Sequence, residues 1–244
     1  EGEKAAYRKL PSRMIKMPES VYWAWSACSQ QKDEQLERLV TDEDSDNMPS
    51  EELAAIFTAC RAAEPTRLRE LLLQQELNVN FVMFGKRTML SAVICESGAA
   101  EHPDRGACIR LLFEAKASLD QRYAEDSKAE NGHNASAIKK TTILMTVCRE
   151  NDHEIARLLL ELRANPDAGG SLDDGSGPLT PLMLAANRGC LECIQLLLAA
   201  DCDIEMAMQG NSTFDGDRAL NLAIRSDVEG TNAAAKLILE KSRS

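Results

Sequence analysis

The stretch Thr180-Pro181-Leu182-Met183-Leu184-Ala185-Ala186, followed by Gly189 and by Leu196-Leu197-Leu198, constrains this chain more than any other, because weaker copies of it recur on both sides. Aligning the leucine runs gives Leu39-Val40, Leu71-Leu72-Leu73, Leu111-Leu112-Phe113, Leu158-Leu159-Leu160, Leu196-Leu197-Leu198 and Leu237-Ile238-Leu239, which makes six units. The residues aligned with Thr180 are Ala55, Thr88, Thr142 and Arg218, at spacings of 33, 54, 38 and 38 residues. A unit of about 33 residues carrying insertions accounts for all four.

The physics of one unit can be read from its residues. Thr180 is placed to cap a helix whose first position is Pro181, where a missing N–H is harmless and the fixed φ suits the first turn. Leu182, Leu184, Ala185 and Ala186 give that helix a slim apolar face. Gly189 breaks the chain, and Ile194, Leu197 and Leu198 start a second apolar stripe at helical spacing. Neither short helix can bury its face alone, so the pairs must stack into a solenoid whose end units need polar outer faces. The acidic run from Asp33 to Glu52 and the closing Lys236, Glu240 and Lys241 fit that need.

The period and the T-P-L-h-x-A opening resemble the ankyrin-repeat family over roughly residues 18–244. The resemblance implies an all-α solenoid of about six helix pairs with degenerate terminal repeats and long fingers between repeats, preceded by a basic extension at residues 1–17. First helices are expected near residues 19–29, 51–62, 88–96, 142–150, 181–188 and 218–226, with strand content close to none. Two departures from the family pattern stand out. The glycine that normally ends the second helix in a left-handed conformation is replaced by Glu76, Lys116, Arg163 and Asp201. The first unit carries Trp23 and Trp25, and the sixth lacks the Thr-Pro start; such ends suit caps, yet either tryptophan would also serve to anchor a bound molecule.

Eight cysteines are explained by packing more simply than by metal chemistry. Cys28, Cys60, Cys95 and Cys148 fall at almost one site of the first helix, where later units have Ala186 and Ile224, so the site asks for a small buried apolar group. Cys108 and Cys193 lie in the second-helix stripe, and Cys202 follows the turn after it. Cys190-x-x-Cys193 is a close pair, but no second pair lies nearby and there are only 3 histidines. The expectation is eight free thiols, no metal, no cofactor, and a reducing intracellular compartment, cytoplasmic by default, with an organelle interior after N-terminal processing as the alternative.

A formal charge of −11 argues against general nucleic-acid binding, and no apolar run approaches the length of a membrane span. The basic segment Lys4, Arg8, Lys9, Arg13 and Lys16 reads as a solvated tail or as an arm for an acidic protein or anionic surface. His102, His133 and His153 fall in insertions or inter-helix loops by the alignment, so a nucleophile would lack its usual base. No Gly-rich phosphate loop follows a strand. Nothing in the residues points to catalysis.

Recognition remains. The resemblance implies a protein partner bound at finger tips and on the exposed side of the first helices, the chain serving as a scaffold or adaptor; the alternative is a permanent peripheral subunit of a large assembly. The junctions between units are 8, 22, 13 and 13 residues long, the longest being the polar segment from Gln121 to Thr141. Repeat three also has extra residues around Ser97 to Ala107. The shortest junction is apolar, Phe81-Val82-Met83-Phe84-Gly85-Lys86-Arg87, where the family has polar residues. That tip either packs on the long insertion or contacts a partner. The residues assigned to the partner surface are Phe81, Met83, Phe84, Lys86, Arg87, Tyr123, Lys139, Met145, Met183, Met206 and Met208, with Met145 and Met183 expected on the exposed side of their helices.

Overall fold

The computed structural model describes residues 51–74, 78–82, 87–95, 102–123, 138–172, 179–208, 216–226 and 228–243. The expectations for the helix at 19–29, for Trp23, Trp25 and Cys28, and for the basic extension lie outside these residues. The chain divides into two compact units, residues 1–117 and 118–244.

In the first unit, α1 (Glu51–Arg61) and α2 (Pro65–Gln74) form one hairpin and α3 (Met89–Cys95) and α4 (Arg105–Glu114) the next. α3 packs on α1, and α4 on α2. Ile56, Phe57, Cys60, Leu68, Ile109 and Leu112 are fully buried between them. α3 begins with a reciprocal cap: the Thr88 amide donates to Ser91 Oγ at 2.9 Å, and the Ser91 amide donates to Thr88 Oγ1 at 3.1 Å. Two helix-start N–H groups are thereby satisfied, with Ser91 in the role more often given to Glu.

The second unit holds three further pairs: α5 (Ile143–Arg149) with α6 (His153–Glu161), α7 (Pro181–Arg188) with α8 (Leu191–Ala199), and α9 (Ala219–Arg225) with α10 (Thr231–Ser242). First helices pack on first helices, α5 to α7 to α9, and second on second, α6 to α8 to α10. Thr142 and Thr180 cap α5 and α7, accepting from the amides of Met145 and Met183 at 3.4 and 3.2 Å. Pro181 stands at the start of α7, and Gly189 ends it at φ 69°. A Cβ at Gly189 would run into the carbonyl oxygen of Glu229, so the position needs glycine both for its φ and for the closeness of the following repeat. The described first helices thus match the expected positions to within about two residues.

The second helices end without glycine yet keep the glycine geometry. Lys116, Arg163 and Asp201 have φ of 70°, 70° and 53°. After α6 the Arg163 amide donates to the Leu160 carbonyl and the Ala164 amide to the Leu159 carbonyl, both at 3.0 Å, and equivalent pairs follow α4 and α8. This is the Schellman arrangement, closed by the buried contact positions Leu112 and Ala117, Leu159 and Ala164, Leu197 and Cys202. Glu76 lies outside the described residues.

Strand content is close to none among the described residues, as expected, and what there is lies in the junctions. β1 (Ile138–Lys140) and β2 (Ser171–Leu172) pair antiparallel, with Ile138 opposite Leu172, and isolated bridges join Tyr123 to Thr141, Gly170 to Leu179 and Ala207 to Arg218. The junctions are extended backbone brought side by side by stacking, so their N–H and C=O groups pair with each other. A departure from the expectation is the outer face of the last pair, where Ile224, Val228 and Leu239 are exposed rather than polar.

Candidate functional site

In residues 118–244 each junction is a finger closed at its base by backbone hydrogen bonds. Tyr123 and Thr141 exchange amide-to-carbonyl bonds of 2.9 Å in both directions. Gly170 and Leu179 do the same at 2.8 and 3.1 Å. The third finger is held by the Met208 amide to the Asp217 carbonyl and the Gly216 amide to the Met208 carbonyl, both at 2.8 Å. β1 and β2 then tie the first finger to the second.

The finger bases lie over the first helices. The Tyr123 hydroxyl and Thr146 Oγ1 are 2.5 Å apart, joining the first finger to α5. Thr142 Oγ1, besides capping α5, donates to the Ala168 carbonyl at 3.1 Å and so fixes the start of the next finger. Gly170 lies against α5 so closely that a Cβ there would collide with the Lys140 carbonyl and stand 2.9 Å from Met145 Cε.

This folding-back corrects several assignments. Met145 and Met183, expected on the exposed side of their helices, are buried, at 0% and 1% exposure. Tyr123 and Met208 are buried too, because both belong to finger bases. None of these four side chains offers a surface to a partner; they are packing residues. Met206, Phe81 and Arg87 are half-buried. Lys139 lies in β1. Met83, Phe84 and Lys86 fall outside the described residues, as do the finger segments 124–137, 173–178 and 209–215. Val82, beside Phe81, is also half-buried.

The turns following the second helices carry a polar ladder. Asp120 Oδ1 accepts from the Asn165 amide at 2.9 Å, and Asp167 Oδ1 accepts from the Asp203 amide at 2.8 Å, one repeat on in each case. Within the turns, Asn165 Oδ1 accepts from the Asp167 amide and Asp203 Oδ1 from the Glu205 amide, both at 2.9 Å. These groups hold register between repeats. Their recurrence just after each second-helix turn is the signal that would have found them.

Asp217 is the one buried carboxylate among the described residues, and it pairs with Arg225 while accepting from Asn221 Nδ2 at 3.3 Å. Arg218, which replaces the capping threonine, forms an ion pair with Glu205.

All seven described cysteines are free. Six are buried. Cys95 is exposed, at the last residue of α3, so the small-residue site is not closed over it. Burial pushes the Cys108 and Cys190 thiols up to about 11 and that of Cys202 to about 12. Cys148 is raised by its hydrogen bond with Cys193 and by burial, while that bond draws Cys193 down. Among the described residues no group of three or more His, Cys, Asp or Glu is arranged to hold a metal ion. His153 is the first residue of α6 rather than a loop residue. No described helix is long and apolar enough to cross a membrane.

A family model described as ankyrin repeats (3 copies) matches residues 99–206 and, overlapping, 169–244. The two matches together span residues 99–244, more than half of the chain. No curated protein matches it.

Proposed function

The chain belongs to the ankyrin-repeat family, and from that premise we propose that it is a non-catalytic scaffold that holds a protein partner on its finger tips. Ankyrin repeats generally mediate protein–protein interaction and are typically non-catalytic. The observation that carries the choice of surface is the burial of Met145, against the finger base at Gly170, and of Met183 in α7. With those positions committed to packing, adaptable apolar contact area has to come from elsewhere. The segment from Phe81 to Arg87 supplies it: Phe81 and Val82 are half-buried at its start, and Met83 and Phe84 follow. Aromatic side chains that leave water at an interface commonly cost 2 kcal/mol or more when truncated. The free thiols support a reducing, intracellular setting for this binding.

The test replaces Met83 and Phe84 together, M83K with F84S, and measures thermal unfolding of the chain beside its association with the protein that co-purifies with it. Association falling by about thirtyfold, equivalent to 2 kcal/mol, with an unchanged melting curve supports the reading. Loss of folding stability with association intact overturns it.

A further inference from the structure

Two thiols meet inside the second unit, across the joint between its first two repeats. Cys148, in the last turn of α5, hydrogen-bonds with Cys193, in the first turn of α8. The Cys193 Sγ also donates to Asn151 Oδ1 at 3.8 Å, in the turn that follows α5. Both sulfurs are enclosed, each cysteine being 0% exposed. Packing accounts for the size of these side chains but not for their chemistry. With the leucine runs aligned, the residues one repeat on from Cys148 and Cys193 are Ala186 in α7 and Ala234 in α10. Those two are also 0% exposed, and α7 packs on α10. There the same joint is filled by two methyl groups. What the two cysteines add is a pair of adjacent sulfurs that can be oxidised to a covalent link.

We propose that Cys148 and Cys193 form a redox switch, closing to a disulfide that locks α5 to α8 when hydrogen peroxide reaches them and opening again under a thiol reductant. Cys193 reacts first, because the hydrogen bond donated by Cys148 favours its thiolate. That thiolate attacks the peroxide: a sulfur–oxygen bond forms, the oxygen–oxygen bond breaks, and the departing hydroxide takes up the thiol proton to leave as water. Cys148 then attacks the sulfenic sulfur. The sulfur–sulfur bond forms, the sulfur–oxygen bond breaks, and the second hydroxide leaves as water with the Cys148 proton. Two thiols have lost two electrons and the peroxide has become two waters. A disulfide needs its sulfurs about 2.0 Å apart, a closure within reach of two side chains already in hydrogen-bond contact. Since neither sulfur is exposed, peroxide enters when the packing between these repeats opens locally. Oxidation therefore fixes the joint shut after it has loosened.

The test treats the intact, reduced chain with excess hydrogen peroxide at neutral pH, removes the peroxide, unfolds and alkylates the chain, and maps its peptides by mass spectrometry. The expected product is a pair of peptides linked through Cys148 and Cys193, about 2 Da lighter than the two reduced peptides and separated again by dithiothreitol. The linked chain should melt about 5 °C above the reduced one, because the bond closes a long loop of the unfolded state. Cys148→Ala and Cys193→Ala keep the small size that the joint accepts at Ala186 and Ala234, and circular dichroism checks their folding. Each should lose both the link and the rise in melting temperature on peroxide treatment. Peptide mapping and melting of the unaltered chain decide the matter even where a variant folds poorly. Alkylation of both cysteines after peroxide, a bond between Cys190 and Cys193 in place of the one named, or a linked chain that melts no higher than the reduced one overturns the proposal.

Discussion

Arg163→Gly should make the protein more stable, an expectation opposite to that for glycine in most exposed helical positions. Arg163 sits just past α6 at φ 70°, with its side chain exposed. A left-handed conformation costs an L-residue roughly 1–2 kcal/mol, from the crowding of Cβ against the backbone. Glycine removes that cost but brings about 0.5–1 kcal/mol of extra backbone entropy to be lost on folding. The difference is a stabilisation of about 0.5–1 kcal/mol. It rests on the native geometry being kept, which the two 3.0 Å Schellman bonds from Arg163 and Ala164 secure, since neither depends on the side chain.

For a chain of this length 1 kcal/mol corresponds to roughly 2–4 °C of melting temperature, so a rise of about 1–4 °C is expected. Urea unfolding followed by circular dichroism gives an independent midpoint. Arg163→Ala is the control: alanine keeps the Cβ and the same strain, so its curve should overlay that of the parent to within a few tenths of a kcal/mol. Lys116→Gly should behave like Arg163→Gly. Asp201→Gly should gain less, because aspartate tolerates this conformation better and Asp201 also pairs with Lys241 at 3.0 Å. A lower or unchanged midpoint for Arg163→Gly would refute the claim that these ends are strained, and would mean that unfolded-state entropy outweighs the relief.

Gly189→Ala should do the reverse and destabilise by about 3 kcal/mol or more, since strain at φ 69° adds to a collision with the Glu229 backbone; a melting curve within 1 °C of the parent would contradict the packing described. Thr142→Val keeps the volume but removes both the cap of α5 and the bond to the Ala168 carbonyl, so a loss of about 1–3 kcal/mol in urea unfolding is expected, against little change for an exposed substitution such as Lys236→Ala. Among the described cysteines, native-state alkylation should label Cys95 first and leave the six buried thiols slow until the chain unfolds. Stability should also fall at alkaline pH. Cys108, Cys190 and Cys202 ionise at about 11, 11 and 12 when folded against 9.0 for an unshifted thiol, so their contribution is complete below about pH 9 and is lost as pH rises toward 11–12. At pH 10 the loss is on the order of 1 kcal/mol for each. A melting temperature flat from pH 8 to 10 would show that these thiols ionise as easily folded as unfolded.

The helices were legible because their determinants are local. Thr180 with Pro181 starts a helix, Gly189 stops one, and leucines at helical spacing mark the second; each signal acts within a few residues and repeats along the chain. Repetition also placed the weak units. Arg218 lacks the capping side chain seen at Thr142 and Thr180, yet its helix appears in register because stacking on neighbours supplies what the cap does not. The strained ends at Lys116, Arg163 and Asp201 were visible as departures from a glycine pattern, and the left-handed geometry persisted because the buried residue after each of them still packs on its helix.

The site was less legible, for a reason that Met145 shows. Its register position along α5 was right, but its depth depended on a finger whose course is not encoded near it. Gly170, twenty-five residues later, comes close enough to lie against Met145 Cε only because it has no side chain. Tyr123 illustrates the same limit from the other side, as an aromatic in a junction that turns inward to meet Thr146 instead of presenting itself outward. Alternation and helical period report which face of an element a residue occupies; they do not report what a later segment lays over that face. Met145 and Tyr123 are therefore packing residues in this chain, and the binding surface proposed above rests instead on the sequence around Met83 and Phe84, which departs from solvated turn chemistry.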